Sequence, residues 1–440
     1  MSISQNFPEE GPSLNLNFAG SRALDPRITF TRTSSATYTD DNGLIRTASA
    51  NSPRFDHRFN PTTGEIDSLG LLIEENRANL TTFSEQLDNA RWAVNNLTLS
   101  SDTTETTAPD GSNNAEKVLE TVTNSYHSFC NFNAYGIIAG TVYTASIFIK
   151  SINKEFVQLV FDDNATTNGG YVNFNLTSGT ITASANYGTG TNIAGTITSY
   201  PNGWYRLSIT STAGTTGTFG RFSINGLTSG TSGPFPGYVG NTSNGYYIWG
   251  AQLEQGSFPT SYIPTSGTTA TRTVDNASIT GSNFSDWYNP SEGTVVISSS
   301  TYTDGSDYNN ALIFSDGSLV NLNNSIEMAL TASGLNKNVG RVTIRKDGSS
   351  VFDSGAGSTI TTLQTNKKYK IASSFKKDNF NFTIDGVTDE VGISGELPSN
   401  LNTLLIGYII ASGSRLNGYI QQLVYYPTAL PSNQLITLTK

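Results

Sequence analysis

The stretch TVYTASIFIK (Thr141–Lys150) decides how the rest of the chain is read. Tyr143, Ala145, Ile147 and Ile149 occupy alternate positions, with Thr144 and Ser146 among the residues between them. A period of two is that of a strand burying one face. The alternation recurs downstream at Val157, Leu159 and Phe161, at Val172, Phe174 and Leu176, and at Tyr205, Leu207 and Ile209. Phe222 with Ile224, and Tyr247, Trp249, Ala251 and Leu253, continue it. Short strands in quick succession, broken by turns such as Ser178-Gly179, are the pattern of a sandwich or jelly roll. Thr141–Lys150 also carries few charges, so as an edge strand it would be open to a neighbouring subunit.

Upstream, Leu14, Leu16 and Phe18 alternate with Asn15 and Asn17, Ala36–Ile45 reads as a hairpin around Asp40-Asp41-Asn42-Gly43, and Leu69–Ile73 reads as a short buried strand. This part holds little apolar mass, so it is expected to dock on another domain or subunit rather than fold alone. Downstream, Val295–Ile297, Ile326-x-Met328-x-Leu330, Phe380-x-Phe382-x-Ile384 and Ile420–Tyr425 repeat the strand pattern, and Pro431–Leu435 reads as a turn of helix. Ser84–Leu87 reads as a single capped helical turn. The predicted fold class is all-β: two β-sandwich (jelly-roll) domains preceded by a short β-rich N-terminal segment. The divisions fall at residues 1–80, 81–272 and 273–440, with Thr265–Thr269 as the linker between the sandwiches.

Composition narrows the function. Charged residues are 14% and aromatics 10% of 440 residues, with 42 glycines, a balance that favours strands and turns over helices. The net charge of -10 and the absence of a basic stripe argue against nucleic acid. The densest basic runs, Lys367-Lys368 and Lys376-Lys377, read as solvated strand ends. With one cysteine, Cys130, no intramolecular disulfide can form, and the chain is suited to assembly in a reducing cytoplasm. Met1–Phe18 has no signal-peptide pattern, and no apolar run is long enough for membrane insertion.

Three segments carry a resemblance. FTRTSSATYTDDNGLIRTASANSPRFDH (Phe30–His57) with GLLIEENRANL (Gly70–Leu80) resembles a segment of phage virion structural and tail proteins. YYIWGAQLEQGSFPTSYIPTSGTTATR (Tyr246–Arg272) and WYRLSIT (Trp204–Thr210) resemble a carbohydrate-binding-module-like jelly roll in the same proteins. FNFTIDG (Phe380–Gly386) and LNGYIQQLVYYPTALPSNQLITLT (Leu416–Thr439) resemble the end of a concanavalin-A-like or laminin-G-like domain. The resemblance implies a bacteriophage virion structural protein with lectin-like modules. It implies a fibre, spike or appendage, assembled in the host cytoplasm, with other virion proteins and a host-surface glycan as partners. A homotrimer follows by analogy with phage fibres.

Catalytic constellations are sparse. Asp40-Asp41, Glu74-Glu75 and Asp162-Asp163 are adjacent pairs, which point to opposite faces of a strand and cannot flank one bond; the aspartate pairs read as turn or surface residues. His57 and His127 are the only histidines, too few for a multi-histidine zinc site. Cys130 reads as a small buried hydrophobe. No cofactor is expected beyond a structural calcium, for which Asp304 and Asp307 are the candidates. No enzyme is predicted. The remaining chemistry is recognition: Gln158, Tyr171, Asn173, Trp204 and Arg206 lie opposite the core-facing positions of their strands. Aromatic planes beside amide and guanidinium donors suit sugar rings. The alternatives are a capsid or neck decoration protein binding only other virion proteins, and a glycan depolymerase.

Overall fold

The computed structural model describes residues 7–162, 168–214, 217–302, 309–318, 322–330, 340–354, 364–408 and 415–440. It is all-β, with antiparallel pairings throughout its named sheets. Asp304 and Asp307, the calcium candidates, lie outside the described residues, as does Asp163.

The central sandwich packs two six-stranded sheets. One runs Thr191–Ser199, Trp204–Thr212, Val142–Ile152, Gly245–Gln255, Glu116–Glu120 and Leu97–Ser100. The other runs Thr180–Tyr187, Gly169–Asn175, Phe156–Asp162, Gly217–Leu227, Ser128–Ile137 and Trp92–Asn95. Ala145, Ile147 and Ile149 from the first sheet meet Leu159, Phe174 and Ile224 from the second in one buried core. Two expectations are corrected here. Val142–Ile152 is not an edge strand, because it is hydrogen-bonded on both sides, and so offers no edge to a neighbouring subunit. Nor do Tyr247, Trp249, Ala251 and Leu253 share a face. The register slips beside Gly250, whose φ is +64°, so Ala251 and Leu253 enter the main core while Tyr247 and Trp249 enter another apolar cluster.

The second sandwich borrows strands from the N-terminal segment. Its eight-stranded sheet contains Glu292–Thr301, Tyr369–Lys376 and Gly418–Tyr426, and then adds Ile66–Ile73 and Phe55–Phe59, with Leu14–Asn17 also paired to Gly418–Tyr426. The facing seven-stranded sheet ends on Thr29–Thr31. Leu14, Leu16, Phe30, Leu71 and Ile73 therefore join the same core as Ile297, Phe382 and Leu423. Gly70 sits where Ile66–Ile73 crosses its neighbour. Its φ is +87°, and a Cβ there would come 2.2 Å from the Ile420 carbonyl oxygen, so only glycine fits.

The Asp40–Gly43 hairpin forms as expected between Ala36–Thr39 and Ile45–Ala48. Ser84–Leu87 is not helical. Ser84 Oγ instead accepts from the Thr265 amide at 2.7 Å and from the Tyr262 hydroxyl at 2.7 Å. Thr265 is buried, and Thr265 Oγ1 donates to the Thr81 carbonyl at 2.6 Å, so the start of the expected linker is pinned rather than free. Beyond it, Ala270–Arg272 pairs with Arg77–Asn79, which zips the two ends of the central sandwich together. Among the described residues, no helix is long and apolar enough to cross a membrane.

Candidate functional site

Both outer faces of the central sandwich are covered by non-regular segments, and this determines what the expected glycan residues do. Gln158 and Asn173 lie side by side on the second sheet and are fully buried. Gln158 Nε2 donates to Asn173 Oδ1 at 2.8 Å and to the Gly233 carbonyl at 3.0 Å. Asn173 Nδ2 donates to the carbonyls of Gly230 (3.0 Å) and Ser232 (2.8 Å), and the Phe235 amide donates to Gln158 Oε1 at 3.2 Å. The two amides thus clamp the 228–237 segment onto the sheet. Tyr171, half-buried, lies opposite Val160 on the same sheet.

Trp204 and Arg206 belong to the other sheet. The five residues opposite the core-facing positions therefore do not form one surface: Gln158, Tyr171 and Asn173 lie in the sheet opposing that of Trp204 and Arg206, and the outer faces point apart. Trp204 is 2% exposed and packs with Phe148, Trp249 and Tyr262, and its indole N–H donates to the Thr107 carbonyl at 2.9 Å. Arg206 stacks over the Phe148 ring and donates to the Thr260 carbonyl (2.7 Å) and Ser146 Oγ (2.9 Å). Alternation identified the outward side correctly, but it carries no information on which distant segment covers that side.

Arg206 is the one expected residue that reaches the cleft between the sandwiches, which has a volume of about 180 Å³. The cleft runs between Phe55–Phe59 and Ile66–Ile73 on one side and Thr191–Ser199 with Trp204–Thr212 on the other, and the 258–262 segment closes it. Tyr38, Tyr200 and Tyr302 give it half-buried aromatic planes. Its charged lining is Asp56, Arg58, Glu74 and Arg206, with buried His57 beside them.

Behind the wall lies a buried ionic knot. Arg54 bridges Glu74 (2.7 Å) and Asp275, Arg272 reaches Glu74 at 2.9 Å, and Arg32 reaches Asp275 at 3.1 Å. Glu74 also accepts from the Ser261 amide (2.8 Å) and hydroxyl (2.7 Å) and from the Tyr302 hydroxyl (2.5 Å). Burial alone would push the Glu74 carboxyl up, but Arg272 and Arg54, with the Tyr302 and Ser261 hydrogen bonds, hold it well below the usual carboxylate range. Burial dominates at Asp56 and raises its carboxyl, against hydrogen bonds from the Thr39 amide and the Tyr419 hydroxyl.

Sequence reading missed this site. Arg32 and Arg54 come from Phe30–His57, Glu74 from Gly70–Leu80, and Ser261 and Arg272 from Tyr246–Arg272, so the segments that carry the resemblance are the ones that meet here. A buried charge leaves no periodic signal in the sequence. Asp162 is also corrected: it is 1% exposed and accepts from Arg221 Nε at 3.1 Å rather than standing in a surface turn. Cys130 is 2% exposed, and burial pushes its thiol up to about 11, as suits a small apolar filler. Among the described residues, no group of three or more His, Cys, Asp or Glu could hold a metal ion.

No protein-family model and no curated protein matches the chain. Among solved structures it is similar to the CBM40 of the Ruminococcus gnavus IT-sialidase bound to alpha2,3 sialyllactose (17% identity, TM-score 0.28, 34% of this chain and 84% of that one). It is similar also to domain 4 of AbnA, a GH43 extracellular arabinanase from Geobacillus stearothermophilus, in complex with arabinotriose (15%, 0.30, 42% and 82%). A third likeness is to the NanB sialidase of Streptococcus pneumoniae (16%, 0.30, 37% and 26%). Nothing about the site is carried over from these partial likenesses.

Proposed function

We propose that this chain is a non-catalytic structural protein of a bacteriophage particle, in a fibre, spike or appendage, and that it presents its cleft to a host-surface glycan. The observation carrying the glycan part is the cleft, where aromatic planes stand beside guanidinium and hydroxyl donors, the pairing that sugar rings require. The phage part rests on the resemblance of Phe30–His57, Gly70–Leu80 and Tyr246–Arg272. A single site of this kind reaches roughly millimolar affinity, about -4 kcal/mol, and many copies on a particle supply the avidity. A homotrimer is the expected arrangement, and light scattering at micromolar concentration checks it. Two experiments test the whole reading. Mass spectrometry of gradient-purified particles should find the chain, and a glycan array should show binding by the wild type. Absence from particles removes the phage part, and a blank array removes the glycan part.

Two observations keep other readings in play. Val387, Val391 and Ile393, on and beside the edge strand Val387–Gly392, are at least half exposed, which favours a decoration protein that contacts other virion proteins. Asp56 and Glu74 share one cleft with carboxyls shifted in opposite directions, a feature of glycan hydrolases. Against hydrolysis, both Glu74 oxygens are already engaged by arginine, tyrosine and serine donors and are not free to attack. Loss of host-polysaccharide viscosity on incubation with the protein would favour the depolymerase.

A further inference from the structure

Resting on the glycan reading above, we infer that the cleft selects a saccharide bearing a carboxylate, and that Arg58 and Arg206 are the groups that recognise it. The chain is acidic, with 35 Asp and Glu against 25 Lys and Arg, so a cationic cleft is not expected from composition. Most described arginines sit in ion pairs. Arg58 and Arg206, both partly exposed and both lining this cleft, form no ion pair among the described residues. Among the described residues, Arg58 donates to Asn366 Oδ1 at 3.1 Å, and Arg206 to the Thr260 carbonyl and Ser146 Oγ, all of them neutral oxygens.

The negative groups of the lining do not cancel them. Glu74 is consumed by Arg54 and Arg272, and the two Asp56 oxygens already accept from the Thr39 amide and the Tyr419 hydroxyl. The knot behind the wall joins Arg32, Arg54 and Arg272 to only two carboxylates, Glu74 and Asp275. The buried Asp56 carboxyl, in the field of Arg54, supplies a third, so the uncompensated charge at the cleft is that of Arg58 and Arg206 themselves. A guanidinium fork matches a carboxylate with two parallel hydrogen bonds, while Tyr38, Tyr200 and Tyr302 offer planes to the C–H face of the same sugar. Carboxylate and ring together define a uronic or nonulosonic acid rather than a neutral hexose. The cleft is short and closed by the 258–262 segment, which suits a sugar residue better than an extended acidic peptide.

The test is titration of the full chain with sodium glucuronate, with its uncharged methyl ester, and with poly-glutamate, followed by heteronuclear NMR or calorimetry. Glucuronate is expected to bind about tenfold more tightly than the ester, and less tightly as salt rises. Arg58→Gln should remove that preference, and Arg58→Lys should restore part of it. Thr196→Trp, at an exposed position on the rim, should block both ligands without touching either arginine. Equal binding of acid and ester, or wild-type preference in Arg58→Gln, overturns the inference even if the array shows other glycans bound. Arg58-dependent binding of poly-glutamate alone also overturns it. A blank array together with no response to glucuronate removes the glycan reading and this inference at once.

Discussion

Trp204 separates an aromatic placed for sugar from an aromatic placed for packing. Its indole is 2% exposed, wedged among Phe148, Tyr247, Trp249 and Tyr262, with its N–H bound to the Thr107 carbonyl at 2.9 Å. A buried tryptophan removes about 200 Å² from water, worth about 5 kcal/mol as an upper bound. Truncation to alanine keeps the Cβ but opens a cavity and strands the Thr107 carbonyl. Trp204→Ala should therefore cost about 4 kcal/mol. For a sandwich of this size that lowers the melting temperature by roughly 10 °C. Calorimetry is the suitable assay, because loss of the indole disturbs intrinsic fluorescence. Trp204→Phe should recover most of the packing but not the hydrogen bond, and fall in between. A Trp204→Ala protein that melts within a couple of degrees of wild type would refute the packing argument and return Trp204 to the surface.

Other consequences follow from the same geometry. Glu74→Gln leaves Arg54 and Arg272 short of a carboxylate in the interior and should destabilise by about 3–5 kcal/mol in urea titrations. Because the Glu74 carboxyl is held low, its contribution is intact at neutral pH and lost only as pH falls through that depressed value; a wild type already destabilised near pH 5 by this group would contradict the assignment. Glu116 behaves in the opposite sense. Burial, then Asp88 and Asp102, push its carboxyl from 4.5 to about 7, so the folded chain holds a proton that the unfolded chain releases. Stability should therefore fall by about 2 kcal/mol as pH rises from 4.5 to about 7, after allowance for screening, and Glu116→Gln should flatten that slope. Asn173→Ala should release the 228–237 segment, seen as faster amide exchange there, with little change in the opposite sheet. Residues 1–80 expressed alone should give a collapsed NMR spectrum, because Leu14–Asn17 and Ile66–Ile73 find their partner strand at Gly418–Tyr426.

What the sequence determines by itself is local and periodic. Strand positions such as Tyr143–Ile149 and Phe380–Ile384 are legible because alternate side chains must leave a pleated backbone on opposite sides, and the Asp40–Gly43 turn is legible because Gly43 supplies a φ of +76°. The all-β class follows from many such strands. What covers a strand is not local. Segment 228–237 over Gln158 and Asn173, and Thr107 against Trp204, lie tens of residues away or more, and no period encodes them. Thr141–Lys150 looks the same whether it ends a sheet or lies inside one, since backbone hydrogen bonds leave no mark on side-chain choice. The cleft and its knot are further removed still. Arg32, Arg54, Glu74, Arg272 and Asp275 carry no periodic signal, and only the closing of both sandwiches onto the N-terminal segment buries them together, in an interior where each charge must find its partner.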